Sequence, residues 1–171
     1  IVTLTPTSWY WKLTLFRPDF LLVESCWRGH KNSWRHKVAR YAAHQQDASP
    51  LVNVVTFCRK KGIPTLFWNK EDPVHFDRFI DAARLFDLIY TTDSDCVARY
   101  QQHCGPSVKQ VATLMFAAQP KLHQATTTSQ PQGIAFFGGF YGDEFPARSQ
   151  QQSDILRALQ PHALTIFDRF W

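Results

Sequence analysis

Short apolar segments alternate with segments of helical length along most of the chain, and this alternation constrains the fold more than any other feature. The clearest stretch predicts a strand over residues 63–68, a helix over 74–85, a strand over 87–91 and a helix over 94–103. Strands that alternate with helices of about ten residues are typical of βαβ units around a parallel sheet. We therefore predict an α/β fold whose Rossmann-like parallel sheet carries helices on both faces.

The same pattern extends to either side of this stretch. Residues 20–23 form a short apolar run of the kind found in buried strands. A serine in the N-cap position predicts a helix over residues 33–41. Apolar residues at helical spacing predict another helix over 51–58, ended by Gly62, and residues 108–116 supply a further extended segment.

The chain is predicted to contain one domain and the start of a second. Residues 119–132 are polar, rich in Thr and Gln, and are the predicted linker between an amino-terminal domain, 1–118, and a unit at 133–171. The second unit holds one β-α-β pattern, and a single such unit cannot close a core. We therefore expect it to be the truncated start of a second domain. Its predicted strand, helix and strand cover residues 134–137, 146–159 and 164–167.

Composition excludes several classes of protein. The 171 residues are 44% hydrophobic and 19% charged, which is typical of a globular chain. The densest basic run, Arg59 to Lys61, precedes Gly62, where cations suit a helix C-terminus, so we predict no nucleic-acid partner. No apolar run approaches the roughly 20 residues that a membrane span requires.

The four cysteines show neither a C-x-x-C pair nor a spacing typical of metal ligands. Four cysteines in a chain of this length do not form a disulfide framework, so a reducing, cytoplasmic location is predicted. The nearest approach to a D-x-D metal motif is Asp93 to Asp95, which is predicted to begin a helix. No metal site is therefore predicted.

Polar side chains follow each predicted strand of the first domain. Because ligands of parallel sheets bind beyond the carboxyl ends of the strands, we expect these side chains to lie along one edge. Those singled out as substrate-binding candidates are Glu24, Trp27, Arg28, His30, Asn69, Glu71 and Asp93.

Asp72 and His75 are the candidate catalytic residues, because both follow the second predicted strand. An imidazole has an ordinary pKa near ~6.5 and suits proton transfer at neutral pH, and Asp72 is expected to orient it or to take the proton itself. A structural alternative stays open for each. Asp72 with Pro73 is also a favoured helix start, and His75 is also compatible with an ordinary surface histidine.

Two of the substrate-binding candidates have structural alternatives as well. Glu24 is placed to form an ion pair with Arg28 or Lys70, and Trp27 is the kind of residue that more often fills a core. The sequence alone leaves both interpretations open.

The stretch FFGGFYGDEF lies between a predicted strand and a predicted helix. Glycines in that position let backbone N–H groups approach a phosphate at the helix N-terminus. The spacing is G-G-x-x-G and departs from the G-x-G-x-x-G fingerprint, so a tight turn is an equally good interpretation.

Several motifs resemble one family in the same order along the chain. These are PDFLLVESCWRGHKNSW, GIPTLFWNKEDPVHFDRF, FDLIYTTDSDCVARY, FAAQPKLH and the tail from IAFFGGFYGDEFPAR to LTIFDR. They resemble the CgeB-like (spore maturation protein) family of glycosyltransferases, and FWNKEDPVHFD is the most specific stretch. The resemblance implies a GT-B architecture, in which the first domain holds the acceptor and the second holds a nucleotide-sugar donor.

The resemblance also implies partners and donor-binding residues. It implies transfer of a sugar from a nucleotide-sugar, used as a co-substrate, to an unidentified acceptor, with the rest of the carboxy-terminal domain as a partner. Metal is optional in this architecture, and we predict neither a metal nor another cofactor. The family reads more like G-S-Y-Y where this chain has GGFYG. The alternative to a glycosyltransferase is a non-catalytic Rossmann-like module that binds a small ligand or serves a structural role. The implied donor phosphate-binding residues are Gly138, Gly139, Tyr141 and Arg148.

Overall fold

The computed structural model describes residues 1–41, 44–124 and 133–169. The chain divides into two units, Ile1–Ala117 and Ala118–Trp171. This division falls beside the predicted start of the linker. Residues 125–132 of that linker lie outside the described residues.

Four strands of the first unit form one parallel sheet in the order β1-β2-β3-β4. The strands are β1 Leu21–Glu24, β2 Thr65–Asn69, β3 Leu88–Thr91 and β4 Gln110–Thr113. The helices are α1 Trp9–Phe16, α2 Ser49–Lys60, α3 Phe76–Ala83 and α4 Cys96–His103, with a short 3-10 helix at His30–Asn32.

The buried side chains of the sheet lie on one face. In the strand register, Val23 pairs with Phe67 and Phe67 with Ile89, and both Phe67 and Ile89 are fully buried. On the opposite face Leu22 pairs with Leu66, and Leu22 keeps 47% exposure. The core therefore sits between one face of the sheet and the helices, whose buried residues include Leu51, Val54, Phe76, Phe79 and Tyr100.

The strand order explains why this face is the covered one. Each crossover from β1 to β4 steps in the same direction, and right-handed crossovers that step in one direction place successive helices on the same face. Helices on both faces require the strand order to reverse, as in doubly wound sheets. The predicted parallel sheet flanked by helices is confirmed. The finer prediction placed helices on both faces of the sheet. In the described residues, helices cover one face only.

One helix was missed by the sequence analysis. Helix α1 begins after a reciprocal pair, in which the Thr5 N–H donates to Ser8 Oγ (3.1 Å) and the Ser8 N–H donates to Thr5 Oγ1 (3.2 Å). Only Leu13 of this helix is buried. Its remaining apolar side chains show no clear helical periodicity, which is why the pattern did not indicate a helix.

The helix predicted over residues 33–41 is wrong. The segment forms turns in which Asn32 and His36 adopt left-handed backbone angles, with φ of 61° at both. Ser33 Oγ donates to the His30 carbonyl at 2.7 Å instead of capping a helix, and Trp34 Nε1 donates to the Leu4 carbonyl at 2.9 Å. Packing of these side chains against other parts of the unit overrides the local helical signal.

The second unit is a single βαβ unit. Strand β5, Ile134–Gly138, runs parallel to β6, Leu164–Asp168, and helix α5, Pro146–Leu159, connects them. Phe137 and Phe167 stack with their ring centroids 4.5 Å apart but stay more than half exposed. None of the buried apolar side chains in the described part of the chain belongs to this unit. Two 3-10 helices at Gly142–Glu144 and Gln160–His162 flank α5.

Candidate functional site

Residues that follow β1, β2 and β3 meet at the carboxyl edge of the first sheet. The Lys70 N–H donates to Ser25 Oγ at 2.8 Å, and the Thr92 N–H donates to the Asn69 carbonyl at 3.3 Å. Lys70 Nζ lies 2.6 Å from Glu24 Oε2. The prediction that these loops share one edge is therefore confirmed for the residues that directly follow the strands.

Four side chains at this edge form one hydrogen-bonded group, named here the Asp72 cluster: Asn69, Asp72, Thr91 and Tyr100. Asn69 Nδ2 donates to Asp72 Oδ1 at 2.7 Å and to Tyr100 Oη at 2.8 Å. Thr91 Oγ1 and Tyr100 Oη both donate to Asp72 Oδ2, at 2.6 Å and 2.9 Å. One carboxylate thus accepts hydrogen bonds from two strands and a helix.

The strand register explains how the Asp72 cluster forms. Asn69 and Thr91 are the last residues of β2 and β3 and pair directly, and both side chains are fully buried on the helix-covered face. Tyr100 reaches them from α4, where it follows Cys96 by one helical turn on the buried face. The Glu71 N–H donates to Asn69 Oδ1 at 3.1 Å, so both donors and the acceptor of the buried amide are paired.

The environment of Asp72 shifts its protonation equilibrium. Burial raises the pKa of Asp72 above its ordinary value of 3.8, and the hydrogen bonds from Thr91 and Tyr100 oppose this rise without cancelling it. Burial also raises the pKa of Tyr100, with the Asp72 charge as the next cause. Tyr100 therefore stays protonated and remains the donor to Asp72.

The structural alternative for Asp72, a helix cap, is wrong. Helix α3 begins at Phe76, the residue in its N-cap position is His75, and no side chain caps the helix. The expected orientation of His75 by Asp72 is not made either, because the side-chain hydrogen bonds of Asp72 go to Asn69, Thr91 and Tyr100. The side chains of Asp72 and His75 therefore make separate contacts.

His75 and Trp27 belong to an aromatic group beside the Asp72 cluster. The rings of Trp27 and His75 meet edge to face with centroids 4.9 Å apart. Trp27 also contacts Tyr41 at 5.5 Å and Phe79 at 5.3 Å, and the Tyr41 hydroxyl donates to the Trp27 carbonyl. Trp27 is thus held by packing, whereas His75 remains partly exposed at the sheet edge.

The remaining candidates of the first unit occupy different positions. Glu24 pairs with Lys70, whose ammonium also lies 5.7 Å from the ring centroid of Trp68. The Asp93 N–H donates to Thr91 Oγ1 at 3.1 Å, which places Asp93 next to the Asp72 cluster. Arg28 and His30 are exposed, and within the described ranges no contact joins them to that cluster.

The second unit collects cationic groups at the carboxyl end of its strands. The Arg148 guanidinium lies 4.8 Å from the centroid of the Tyr141 ring, and the Arg169 guanidinium lies 5.5 Å from it. Arg169 Nη2 also donates to Tyr141 Oη at 2.6 Å. Gly138 ends β5, and its carbonyl accepts the Arg169 N–H at 2.9 Å. The sequence analysis missed Arg169, although it directly follows β6 and the rule on strand ends would have found it.

The glycine-rich turn lies beside the first turn of α5. Gly139 is buried, and its carbonyl accepts a hydrogen bond from Gln152 Nε2 at 3.5 Å. Ser149 Oγ donates to the Gly142 carbonyl at 2.8 Å. These contacts tie the turn to α5 and keep Tyr141 and Arg148 close to the helix N-terminus.

Thiol chemistry has little support in this structure. Burial raises the pKa of Cys26 and of Cys58 to about 11, and it also raises the pKa of Cys96 and Cys104. All four cysteines are free thiols. Because the thiolate is the nucleophilic form, these side chains are poorly suited to covalent catalysis.

Among the described residues, no group of three or more His, Cys, Asp or Glu side chains is arranged to hold a metal ion. No helix in the same ranges is both long enough and apolar enough to cross a membrane. Comparisons with protein-family models, with curated proteins and with solved structures found no match.

Proposed function

We propose that this chain is part of a GT-B glycosyltransferase of the CgeB-like family, which transfers a sugar from a nucleoside diphosphate sugar to an acceptor hydroxyl. The main support for the proposal is that the guanidinium groups of Arg148 and Arg169 both lie beside the Tyr141 ring, at the carboxyl ends of β5 and β6. Guanidinium groups bind phosphate oxygens through paired charge-assisted hydrogen bonds. The N-terminus of α5 lies beside them and also favours an anion.

The proposed reaction requires a base for the acceptor hydroxyl and cationic groups for the leaving diphosphate. The acceptor hydroxyl gives its proton to a base while its oxygen forms a bond to the anomeric carbon of the donor. The bond between that carbon and the diphosphate breaks, and the diphosphate leaves with the electron pair. Arg148 and Arg169 stabilise the negative charge that develops on the leaving diphosphate.

His75 is the better candidate for the base. Its imidazole is partly exposed at the sheet edge, and imidazole is the side chain most often used as a general base. Asp72 instead accepts three hydrogen bonds that join β2, β3 and α4. Asp72 is thus a positioning residue, which fixes the turn that carries His75.

A second candidate function is binding without catalysis. The saturation of the Asp72 carboxylate by Asn69, Thr91 and Tyr100 favours it, because a carboxylate committed to structural hydrogen bonds is a poor proton acceptor. A Rossmann-like module of this kind would bind a nucleotide-sugar and leave it intact. A glycosyltransferase cleaves the bound nucleotide-sugar, whereas a binding module does not, so a cleavage assay distinguishes the two functions.

Calorimetric titration with a nucleoside diphosphate tests the proposed donor site. We expect Arg148→Gln and Arg169→Gln each to weaken binding by about 10- to 100-fold, since each removes charge-assisted hydrogen bonds. Arg157→Gln is the matched control, because Arg157 lies on the same helix and pairs with Asp154 at 3.4 Å. Equal affinity in all four proteins, or no saturable binding, would contradict the proposal.

A further inference from the structure

A groove lies at the edge of the first sheet opposite the candidate site. Its volume is about 580 Å³, and it runs between α1 and the loop that joins α2 to β2. Its lining residues Pro18 and Asp19 precede β1, and Gly62 and Ile63 precede β2, so the groove lies at the amino ends of these strands. A strand of four or five residues spans about 13–17 Å, which separates the groove from the carboxyl edge. The volume falls within the range of pockets that bind small molecules.

Apolar and aromatic side chains form part of the lining of the groove. Leu13 and Ile63 line it, and Leu13 is buried. The rings of Tyr10 and Phe57 stand edge to face, with their centroids 5.5 Å apart. Tyr10 keeps 61% exposure although it forms part of the wall. Such a surface suits a planar or ring-bearing body.

Two cations line the same groove. Within the residues that the structure describes, neither Arg17 nor Lys61 lies within ion-pair distance of a carboxylate. Lys61 Nζ lies 6.0 Å from the ring centroid of Phe57, so the charge sits beside the aromatic wall. The combination of apolar lining residues and these cations indicates a ligand with an anionic group.

The backbone of Arg17 is an independent observation. Arg17 ends α1 in the left-handed region, with φ of 42°, and it is followed by Pro18. Glycine is the residue that usually occupies this helix-ending conformation, and a side chain there is strained. Strain of this kind recurs at ligand sites, where the side chain is needed despite its backbone.

Two features of the groove disfavour the binding of an anion, but neither cancels the positive charge of Arg17 and Lys61. The C-terminus of α2 points towards it, but the last carbonyls of that helix accept hydrogen bonds from the N–H groups of Lys61, Gly62 and Ile63. Asp19 also lines the groove, and the two cations outnumber it. The local charge is therefore positive.

We propose that this groove is a second ligand site, which binds a ring-bearing organic anion with one carboxylate, sulfonate or phosphate group. The ring packs against the surface that Tyr10 and Phe57 present to the groove, and Arg17 and Lys61 bind the anionic group. The site is distinct from the proposed acceptor site, because it occupies the amino ends of the strands, and it shares no residue with the proposed donor site.

Titration of the full chain with naphthalene-1-sulfonate tests this site, with 1-naphthalenemethanol as the neutral counterpart. We expect one saturable site for the sulfonate and at least about 10-fold weaker binding of the alcohol. Arg17→Gly is the sharpest variant, because it removes the cation while it relieves the backbone strain. It should weaken sulfonate binding by about 10-fold or more without lowering the unfolding midpoint.

Lys60→Gln is the matched control, since Lys60 is the last residue of α2 and directly precedes Lys61 but does not line the groove. It should leave the affinity for the sulfonate unchanged. The proposal is overturned if the sulfonate does not saturate, if the alcohol binds equally well, or if Lys60→Gln weakens binding as much as Arg17→Gly. Affinity for a nucleoside diphosphate should be the same in Arg17→Gly and the wild type, which keeps this test separate from that of the donor site.

Discussion

Tyr100 donates its phenolic hydrogen to Oδ2 of Asp72 across 2.9 Å, and this bond joins helix α4 to the turn after β2. The same hydroxyl accepts a hydrogen bond from Asn69. Both groups that Tyr100 contacts are held at the carboxyl edge of the sheet, where ligands of parallel sheets bind. The stability of the candidate site therefore depends on a residue from a neighbouring helix.

Tyr100→Phe should destabilise the chain. The change leaves the buried amide of Asn69 and the carboxylate of Asp72 each without one partner, and buried groups that lose a partner cost about 1–3 kcal/mol. Urea unfolding measures the change in the free energy of unfolding. Tyr90→Phe is the control, because within the described ranges the Tyr90 hydroxyl makes no hydrogen bond, and its expected effect is below about 0.5 kcal/mol. Equal effects of the two changes would contradict the importance of the cluster.

Asp72 and Asp87 should shape the pH dependence of stability in opposite directions. Burial raises the pKa of Asp72 above its ordinary value of 3.8, so the folded chain keeps a proton that the unfolded chain releases. This contribution is fully present below pH 3.8 and is lost as the pH rises through the folded-state pKa. For Asp87, burial is outweighed by hydrogen bonds from Thr65 and by the charge of Arg59, so its pKa lies below 3.8. That contribution is present above pH 3.8 and is lost as the pH falls.

Urea unfolding of the wild type, Asp72→Asn and Asp87→Asn between about pH 3 and pH 7 checks these signs. The difference in unfolding free energy between the wild type and Asp72→Asn should shrink as the pH rises. The difference between the wild type and Asp87→Asn should shrink as the pH falls. The same sign of slope for both pairs would show that the environment of Asp72 is not the one described.

Gly29→Ala should destabilise the loop that carries Arg28 and His30. Gly29 has φ of +63°, and an added Cβ would lie 2.8 Å from Cβ of Trp34. The strained backbone and the clash together should cost about 1–3 kcal/mol in unfolding free energy. Gly105→Ala is the control, because an added Cβ there meets nothing within 4 Å. If calorimetric unfolding shows equal effects for both variants, the position of this loop is wrong.

The succession of strands and helices along the chain was predictable because the apolar residues of each strand are continuous in the sequence. The strands β2 and β3 and the helix between them stand out by pattern alone, and the polar residues at their ends follow from the common direction of parallel strands. The single-direction strand order was not predictable, because no local signal states which strands are neighbours. That order decides which face the helices cover.

The Asp72 cluster was predictable only in part. Asn69 and Asp72 are close in sequence and follow one strand, whereas Tyr100 is separated from Asn69 by 31 positions. Its contact depends on which face of α4 packs on the sheet. The spacing of Cys96 and Tyr100 by one helical turn is the only sequence signal for that face. The turns after Asn32 were not predictable, since their left-handed backbone angles occur at residues other than glycine.

The rate at which the protein releases nucleoside diphosphate from a panel of nucleoside diphosphate sugars tests the proposed glycosyl transfer most directly. The account predicts saturable release with at least one donor and a rate that falls by about 10²–10⁴-fold in His75→Gln, the usual range for loss of an acid–base group. His162→Gln, a change in the 3-10 helix after α5, should keep the wild-type rate. A donor that binds but is never cleaved, or a His75→Gln variant that cleaves it at the wild-type rate, would contradict the account.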